Sequence, residues 1–304
     1  MPASSRLRDE VIVVQLHSDG SNEVQLPSNL EKGLLTRVQA CRGFIHHAAH
    51  RFRQLGHVTL RFAIQLHDDE PSCPSFLIDA AADQNPNQLP LIPDFYCLGS
   101  QGYAALRQRF AELPDWHRRL PIAIWRGAST GAGELRLDTF NSLQRYQLCR
   151  HSLEDPGWLD ARFSAVVQTA TVEANQVIRQ HLVELDLLRP RMEPEHMGLH
   201  RWLIDIDGNV NSWGLLWKLL SGSCILRVES KRQQWFYRHL KTWHTHVPIA
   251  ADLNDLPEKL AWCRQHQTDC SAIAQTGQQV AEQVVNDLQN EMERAVEIYS
   301  ERWL

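Results

Sequence analysis

At 304 residues the chain exceeds the roughly 100 to 200 residues usual for one domain, so two domains with modest cores are expected. A formal net charge of -5, from 31 basic against 36 acidic side chains, offers no counter-charge to a polyphosphate backbone and sets nucleic acid aside as a partner. The 43% hydrophobic content, with sparse Pro and Gly, sets aside disordered and fibrous classes. No apolar run approaches the ~20 residues of a membrane span, and residues 1–10 lead into no secretion-signal core. A cytoplasmic protein is therefore expected, with peripheral association at the inner face of a membrane as a variant. Seven cysteines, none paired at two-residue spacing, read as reduced and mostly buried thiols.

In chain order, β-like runs at 11–16 and 57–66 flank a helical stretch at about 34–55. A short run at 75–79 leads into 80–89, whose Asp, Asn, Pro and Gln content reads as a loop at a strand's end, where function concentrates. The segment 90–116 mixes a strand with a helix. Residues 120–125 form an apolar strand that runs into the loop Arg126-Gly127-Ala128-Ser129-Thr130-Gly131. Further on, 202–206 reads as a strand, Asp207-Gly208-Asn209 as a turn, and Ser212 as the cap of a helix to about Leu220. With the buried strand 224–228 this makes strand, helix, strand, the pattern of a parallel crossover. A Pro-containing strand at 246–249 follows, and from about 256 the chain is helical, ending in an amphipathic stretch at 276–302. The expected fold is α/β, with two Rossmann-like domains facing across a cleft. The first spans 1–118 with a returning C-terminal helix at 283–304, and the second spans 119–282.

Unpaired N–H groups and a helix's positive end meet at Asn211, Ser212 and Trp213, which suits phosphate, although every crossover helix has such an end and no P-loop accompanies this one. Asp205 and Asp207 have the spacing of a metal-holding acid pair. Gly208 makes Asp207 equally a turn former, and hard cations need further oxygen ligands, so no metal is expected. His46 and His50 are four apart on a helix, as zinc ligands can be, but no third ligand follows and His46, His47 and His50 read as a helix face. His244 and His246, beside Trp243, suit a sugar or diphosphate contact or a structural role alike. Asp79 and Asp83 are carboxylates able to take a proton, and Arg126, Arg136 and Arg150 are cations able to hold an anionic leaving group. Taken singly, each reads as a solvated surface charge.

As an ordered string, Trp202-Leu203-Ile204-Asp205-Ile206-Asp207-Gly208, then Ser212, Lys218-Leu219-Leu220-Ser221-Gly222-Ser223, Trp243, Val247-Pro248-Ile249 and Asp252-Leu253 resemble glycosyltransferase family 90. Upstream, Trp125-Arg126-Gly127-Ala128-Ser129-Thr130 is similar to the family's aromatic-Arg-Gly-Ser motif, and Arg150 with Leu159-Asp160-Ala161 continues the likeness, which covers roughly 76–281. The family contains the protein O-glucosyltransferases, the KDEL-motif proteins and capsule and lipopolysaccharide-modifying enzymes. The resemblance implies a GT-B-like, metal-independent, inverting glycosyltransferase of a bacterial type, moving a hexose or pentose from a UDP-sugar to a hydroxyl of a glycan or lipid-linked glycan. No cofactor is expected, the UDP-sugar being a co-substrate.

The same resemblance assigns the acceptor and base to the first domain, with Asp83 as base and Asp79 as fallback, and the donor to the second. Donor contacts are expected from Arg126, Gly127, Ala128 and Ser129, from Arg136 and Arg150, and from Asn209, Val210, Asn211, Ser212, Trp213 and Gly214. Glu229, at a strand's end, is expected to touch ribose or sugar. Several positions depart from the family pattern. The serine after Arg-Gly is Ala128, and an arginine of the same loop falls at Glu134 with Arg136 two residues on. The arginine expected at the helix start is Gly214, and a His-Tyr pair is Thr245-His246. Lys218 is one helical turn, ~6 Å, from Gly214 and does not simply replace that arginine. A sugar-nucleotide or carbohydrate binder that has lost turnover is the competing expectation, and a metal enzyme built on Asp205 and Asp207 ranks last.

Overall fold

The run Val-Ile-Val-Val-Gln-Leu forms strand β1 (Val11–Leu16), which buries Ile12, Val14 and Leu16 completely. In the computed structural model, which describes residues 11–27, 32–67, 73–131 and 133–304, β1 pairs antiparallel with β2 (Asn22–Gln25) on one side. Helix α1 (Lys32–Gln54) follows, and then β3 (Leu60–Gln65), antiparallel to β1 on the other side. Apolar residues of α1 recur at Val38, Cys41, Ile45, Ala48 and Phe52, one face of a helix, and all are buried. Strand β4 (Ser75–Phe76) runs parallel to β3, so the sheet order is β2-β1-β3-β4 and its pairing is mixed. The stretch 80–89 contains a two-residue strand, β5 (Ala80–Ala81), and a 3-10 turn at Pro86–Gln88. The segment 90–116, expected to mix a strand with a helix, holds a single bridge at Leu91 and the helix α2 (Phe95–Gly99), whose first amides are capped by Asp94, before a second helix begins at Ala104.

The chain divides into two compact units, Met1–Ala104 with Lys231–Arg238 and Gln283–Leu304, and Ala105–Ser230 with His239–Glu282. The sequence-based boundary at 118/119 differs from this division, which gives most of α3 (Ala104–Phe110) to the second unit and Lys231–Arg238 to the first.

The second unit is built on β6 (Leu120–Ala128), α4 (Gln144–Glu154), β7 (Leu159–Ala165), α5 (Val172–Glu184), α6 (Pro194–Met197), β8 (His200–Asp205), α7 (Leu215–Leu220) and β9 (Cys224–Val228). The next strand, β10 (Arg232–Gln233), belongs to the first unit, where it pairs antiparallel with β5. Strand β11 (Val247–Ile249) completes a five-stranded, wholly parallel sheet of order β11-β9-β8-β6-β7. Buried runs such as Trp202, Leu203 and Ile204 or Cys224, Ile225 and Leu226 suit a sheet whose strands are covered on both faces. This unit is Rossmann-like: the chain passes from β6 to β7 on one side, then back to β8 and on to β9 on the other. The order reverses between β6 and β8, and ligands of such sheets bind outside the strands' carboxyl ends at that point.

Helices α8 (Leu256–Gln265), α9 (Gln267–Asn286) and α10 (Leu288–Trp303) close the chain, so the amphipathic stretch at 276–302 is broken at Asp287. In the first unit α10 returns to α1 and β4, with Tyr299 stacked on Phe76 at 4.6 Å and set edge-on to Phe52. Among the described residues no helix is long and apolar enough to cross a membrane.

Candidate functional site

Two strand-end loops meet where the strand order reverses. Strand β6 runs three residues past the expected end at Trp125, with Arg126, Gly127 and Ala128 in register with β7. Gly127 is needed inside this strand because a Cβ there would lie 2.5 Å from the Trp125 ring. The following loop touches the loop after β8: the Gly131 N–H donates to Asn209 Oδ1 at 2.9 Å, and Asn209 Nδ2 donates to Gln168 at 3.1 Å. Gly208 allows this approach, since a Cβ would meet Thr130 Oγ1 at 2.7 Å.

The pin between the loops is Arg145, in the first turn of α4. Its guanidinium donates to the carbonyls of Ala128 (2.9 Å), Ile206 (3.2 Å) and Asp207 (2.8 Å) and to Thr130 Oγ1 (2.7 Å). Burial lowers its pKa to about 10, which leaves it charged at neutral pH. Nothing in its sequence neighbourhood marks it. The available signal was positional, since the first turn of a crossover helix lies at the carboxyl ends of the strands.

Below this crevice Asp205, 2% exposed, accepts from Lys218 Nζ at 2.7 Å and from Ser212 Oγ at 2.5 Å. Ser212 is therefore not the helix cap expected of it: α7 starts at Leu215 after Gly214, with no side-chain cap. The Ser212 hydroxyl is drawn away by the buried Asp205 carboxylate, and its N–H is taken by Asp207 Oδ1 at 3.0 Å. The sequence estimate for Lys218 also needs correcting. Long helical side chains lean back toward the N-terminus, and Lys218 Nζ lies 3.5 Å from where a Cβ of Gly214 would stand, with Trp217 Nε1 at 3.1 Å. A Cβ at 214 would crowd Trp217 Nε1 and stand in ordinary contact with Lys218 Nζ.

Asn211 is 4% exposed, and neither polar atom of its amide has a hydrogen-bond partner among the described residues. A buried amide left so costs about 1–3 kcal/mol unless a ligand or water completes it. Asp207 is half-buried and accepts from Ser230 Oγ. Burial raises its pKa to about 6, with the Asp205 charge adding and the Ser230 and Ser212 bonds opposing. Because the folded value exceeds the ordinary aspartate value of 3.8, the folded state binds the extra proton, and stability falls as pH rises from about 4 to about 6. Asp207→Asn should flatten that part of the pH–stability curve, by about one proton's slope at most, in urea melts at stepped pH. An unchanged slope would remove the assignment.

A pocket of about 460 Å³ opens at the carboxyl ends of β9 and β11, lined by Arg227, Glu229, Ser230, Trp243, His246 and Lys259 among others. Glu229 is exposed there. His246 is 3% exposed, and burial, with Arg227 adding, lowers its pKa to about 4, so it is neutral at pH 7. Ser230 joins this pocket to Asp207 and hence to the strand-order reversal.

The other expected residues are spread more widely. Arg126 is held in the sheet, bonded to Asp160 Oδ2 at 2.6 Å and to the Trp125 and Asp160 carbonyls. Ser129 is 1% exposed and exchanges bonds with the Val167 backbone at 3.1 and 2.8 Å. Ala128 contributes its carbonyl to Arg145, while Val210 and Trp213 are half-buried in the segment that carries Asn211. Arg136 is 61% exposed between Glu134 and Asp138. Arg150 is exposed on α4, in a 330 Å³ pocket with Asn141, Gln147, His151 and Glu154, about one and a half helical turns past Arg145. Arg136, in the turn ahead of α4, and Arg150, on the exposed side of that helix, are thus not among the residues that bond across the crevice.

In the first unit Asp83 is exposed in the turn after β5. Asp79 is buried and paired with Arg232 at 2.7 Å. His244 is exposed and bonded to the Thr242 carbonyl. Among the described residues no group of three or more His, Cys, Asp or Glu is placed to hold a metal ion.

The fold defines an α/β protein with a crevice at a Rossmann-like switch point. The family model of glycosyl transferase family 90 matches residues 101–301, more than half of the chain, and the chain belongs to that family. Uncharacterized protein 179R of Invertebrate iridescent virus 6 is 28% identical over 176 residues, 53% of this chain and 15% of that protein. Protein O-glucosyltransferase 2 of Danio rerio is 33% identical over 82 residues, 27% of this chain and 16% of that protein. Protein O-glucosyltransferase 3 of Mus musculus is 26% identical over 168 residues, 55% of this chain and 29% of that protein. The chain thus spans less than a third of each of these relatives. Among solved structures, Anabaena Alr3699/HepE in complex with UDP-glucose is 12% identical, covering 72% of this chain and 56% of its own, with a TM-score of 0.41. The pneumococcal O-GlcNAc transferase GtfA in complex with UDP and GlcNAc is 13% identical, covering 66% and 44%, with a TM-score of 0.37.

Proposed function

We propose that this chain is a glycosyltransferase that moves a hexose or pentose from a UDP-sugar to a hydroxyl of a glycan or lipopolysaccharide-type acceptor, with inversion and without a metal. The observation that carries the reading is the unpartnered, buried Asn211 amide in the segment where β8 ends, beside the reversal of strand order. A donor diphosphate supplies the acceptor oxygens that such a site lacks, and family membership supplies the chemistry.

In this reading the nucleoside occupies the pocket with Glu229 on the ribose, and the diphosphate lies along 209–214. Lys218 provides the positive charge in place of an arginine at 214. Its ammonium has three donors, and one of them is used on Asp205. Because that ammonium already neutralises Asp205, a metal ion at Asp205 and Asp207 would have to displace it, which supports metal independence. Asp83 takes the acceptor proton from the first unit. The reading includes a GT-B fold and a cytoplasmic location with access to lipid-linked acceptors.

The test is titration of the protein with UDP and a panel of UDP-sugars, followed by assay of sugar release with and without chelator. Binding of UDP with release or transfer of sugar that survives chelation is the expected result. Binding without any turnover on the panel would favour a non-catalytic sugar-nucleotide binder, and no binding of any UDP species would sink the reading.

A further inference from the structure

The pocket at the ends of β9 and β11 has one wall that the diphosphate chemistry leaves unused. Trp243 sits there with φ +62, a left-handed conformation that crowds Cβ against the backbone and is rare for a bulky residue. The turn 241–246 imposes it. The Trp243 N–H donates to the His246 carbonyl at 2.8 Å, the Thr245 N–H to the Lys241 carbonyl at 2.8 Å, and the Lys241 N–H to Thr245 Oγ1 at 3.0 Å.

Around the ring the contacts are aromatic and cationic. Trp262 meets Trp243 at 4.9 Å in a T-shaped pair, Lys259 Nζ lies 5.8 Å from the Trp243 ring centroid, and Trp262 in turn stacks on His266 at 4.7 Å. With these contacts made, Trp243 is still 41% exposed. A tryptophan that served the core alone would be covered, and one that was ordinary surface would need no strained backbone to hold it. The pocket it lines, about 460 Å³, falls within the range of sites for small organic ligands.

We propose that Trp243 is the stacking platform for the nucleobase of the donor. A planar heterocycle lies against its exposed ring while the attached ribose reaches Glu229 in the same pocket. This assignment rests on the reading of the chain as a sugar-nucleotide transferase and adds the residue that recognises the base.

The experiment compares the wild type with Trp243→Ala, Trp243→Leu and Trp243→Phe by calorimetric titration against UDP, GDP, ADP, uridine and inorganic pyrophosphate. Removing the ring in the Ala and Leu variants is expected to weaken UDP and uridine alike by roughly 5- to 150-fold, with most of the affinity kept in Trp243→Phe. Pyrophosphate should bind all four proteins within about two-fold. The Leu variant keeps apolar bulk should Trp243→Ala not fold. UDP affinity unchanged in the Ala and Leu variants overturns the platform, and so does an equal loss for pyrophosphate, which would mean a collapsed site. If the wild type binds GDP or ADP in place of UDP and still depends on Trp243, the platform stands and the uridine donor falls. If it binds no nucleotide, both fall.

Discussion

Asp83→Asn is expected to lower sugar transfer by about 10²- to 10⁴-fold, the contribution of a positioned general base, while leaving UDP affinity within about two-fold. The acceptor hydroxyl is a weak nucleophile until its proton has somewhere to go, and an amide of the same shape cannot accept that proton. Asp83 suits the task because it is exposed in the turn that follows β5, where an acceptor can reach it. Its neighbour Asp79 is a poor alternative, since its carboxylate is buried and already holds Arg232. The two variants should therefore differ in kind. Asp83→Asn should melt like the wild type and turn over slowly, whereas Asp79→Asn should lose stability by weakening the pairing with Arg232. Steady-state transfer rates beside urea melts separate the cases. Normal turnover in Asp83→Asn would remove it as the base.

The second large effect is on stability. Lys218→Met should cost about 3–5 kcal/mol, because it strands the Asp205 carboxylate, 2% exposed, without its ammonium. The Ser212 hydroxyl would remain a donor to that carboxylate. Asp205→Asn together with Lys218→Met removes both charges and should regain much of the loss, since breaking a buried pair costs more than replacing it. The urea midpoints of the two single variants and the double variant measure the coupling. If the double variant is as unstable as the sum of the singles, the pair is not interacting as described. In the proposed function the double variant should also bind UDP less tightly than the wild type, despite recovering its fold.

The two loops that form the crevice come from strands separated by about 80 residues, and what joins them shows why parts of the site escaped a linear reading. Arg145 is an unremarked arginine among polar residues of α4, and only the packing of that helix over the β6 and β8 ends delivers its donors to four acceptors. Arg126, by contrast, sits inside a recognisable motif, yet β6 continues through it and the side chain serves the β6–β7 pairing. Ser212 has the residue type of a helix cap. The cap was lost because its hydroxyl donates to the buried Asp205 carboxylate, and α7 starts only at Leu215. Strand β7, Leu-Asp-Ala-Arg-Phe-Ser-Ala, has the alternation of a strand, and what its charges serve is seen only once the strands lie side by side and Arg126 pairs with Asp160.

Local pattern was enough for the elements whose burial is continuous. Strand β9 has the bounds its apolar run predicts, β1 likewise, and α1 differs from expectation by about two residues, because an uninterrupted apolar run or a helical stripe has few other ways to leave water. The ordered motifs from Trp125 to Leu253 were enough to place the chain in its family. Tertiary structure alone decided which charges face the crevice. Side-chain partners such as Asp205 with Lys218, Asp79 with Arg232 and Arg145 with the strand-end carbonyls are chosen across 13 to 153 positions, a separation at which sequence spacing carries no geometric information.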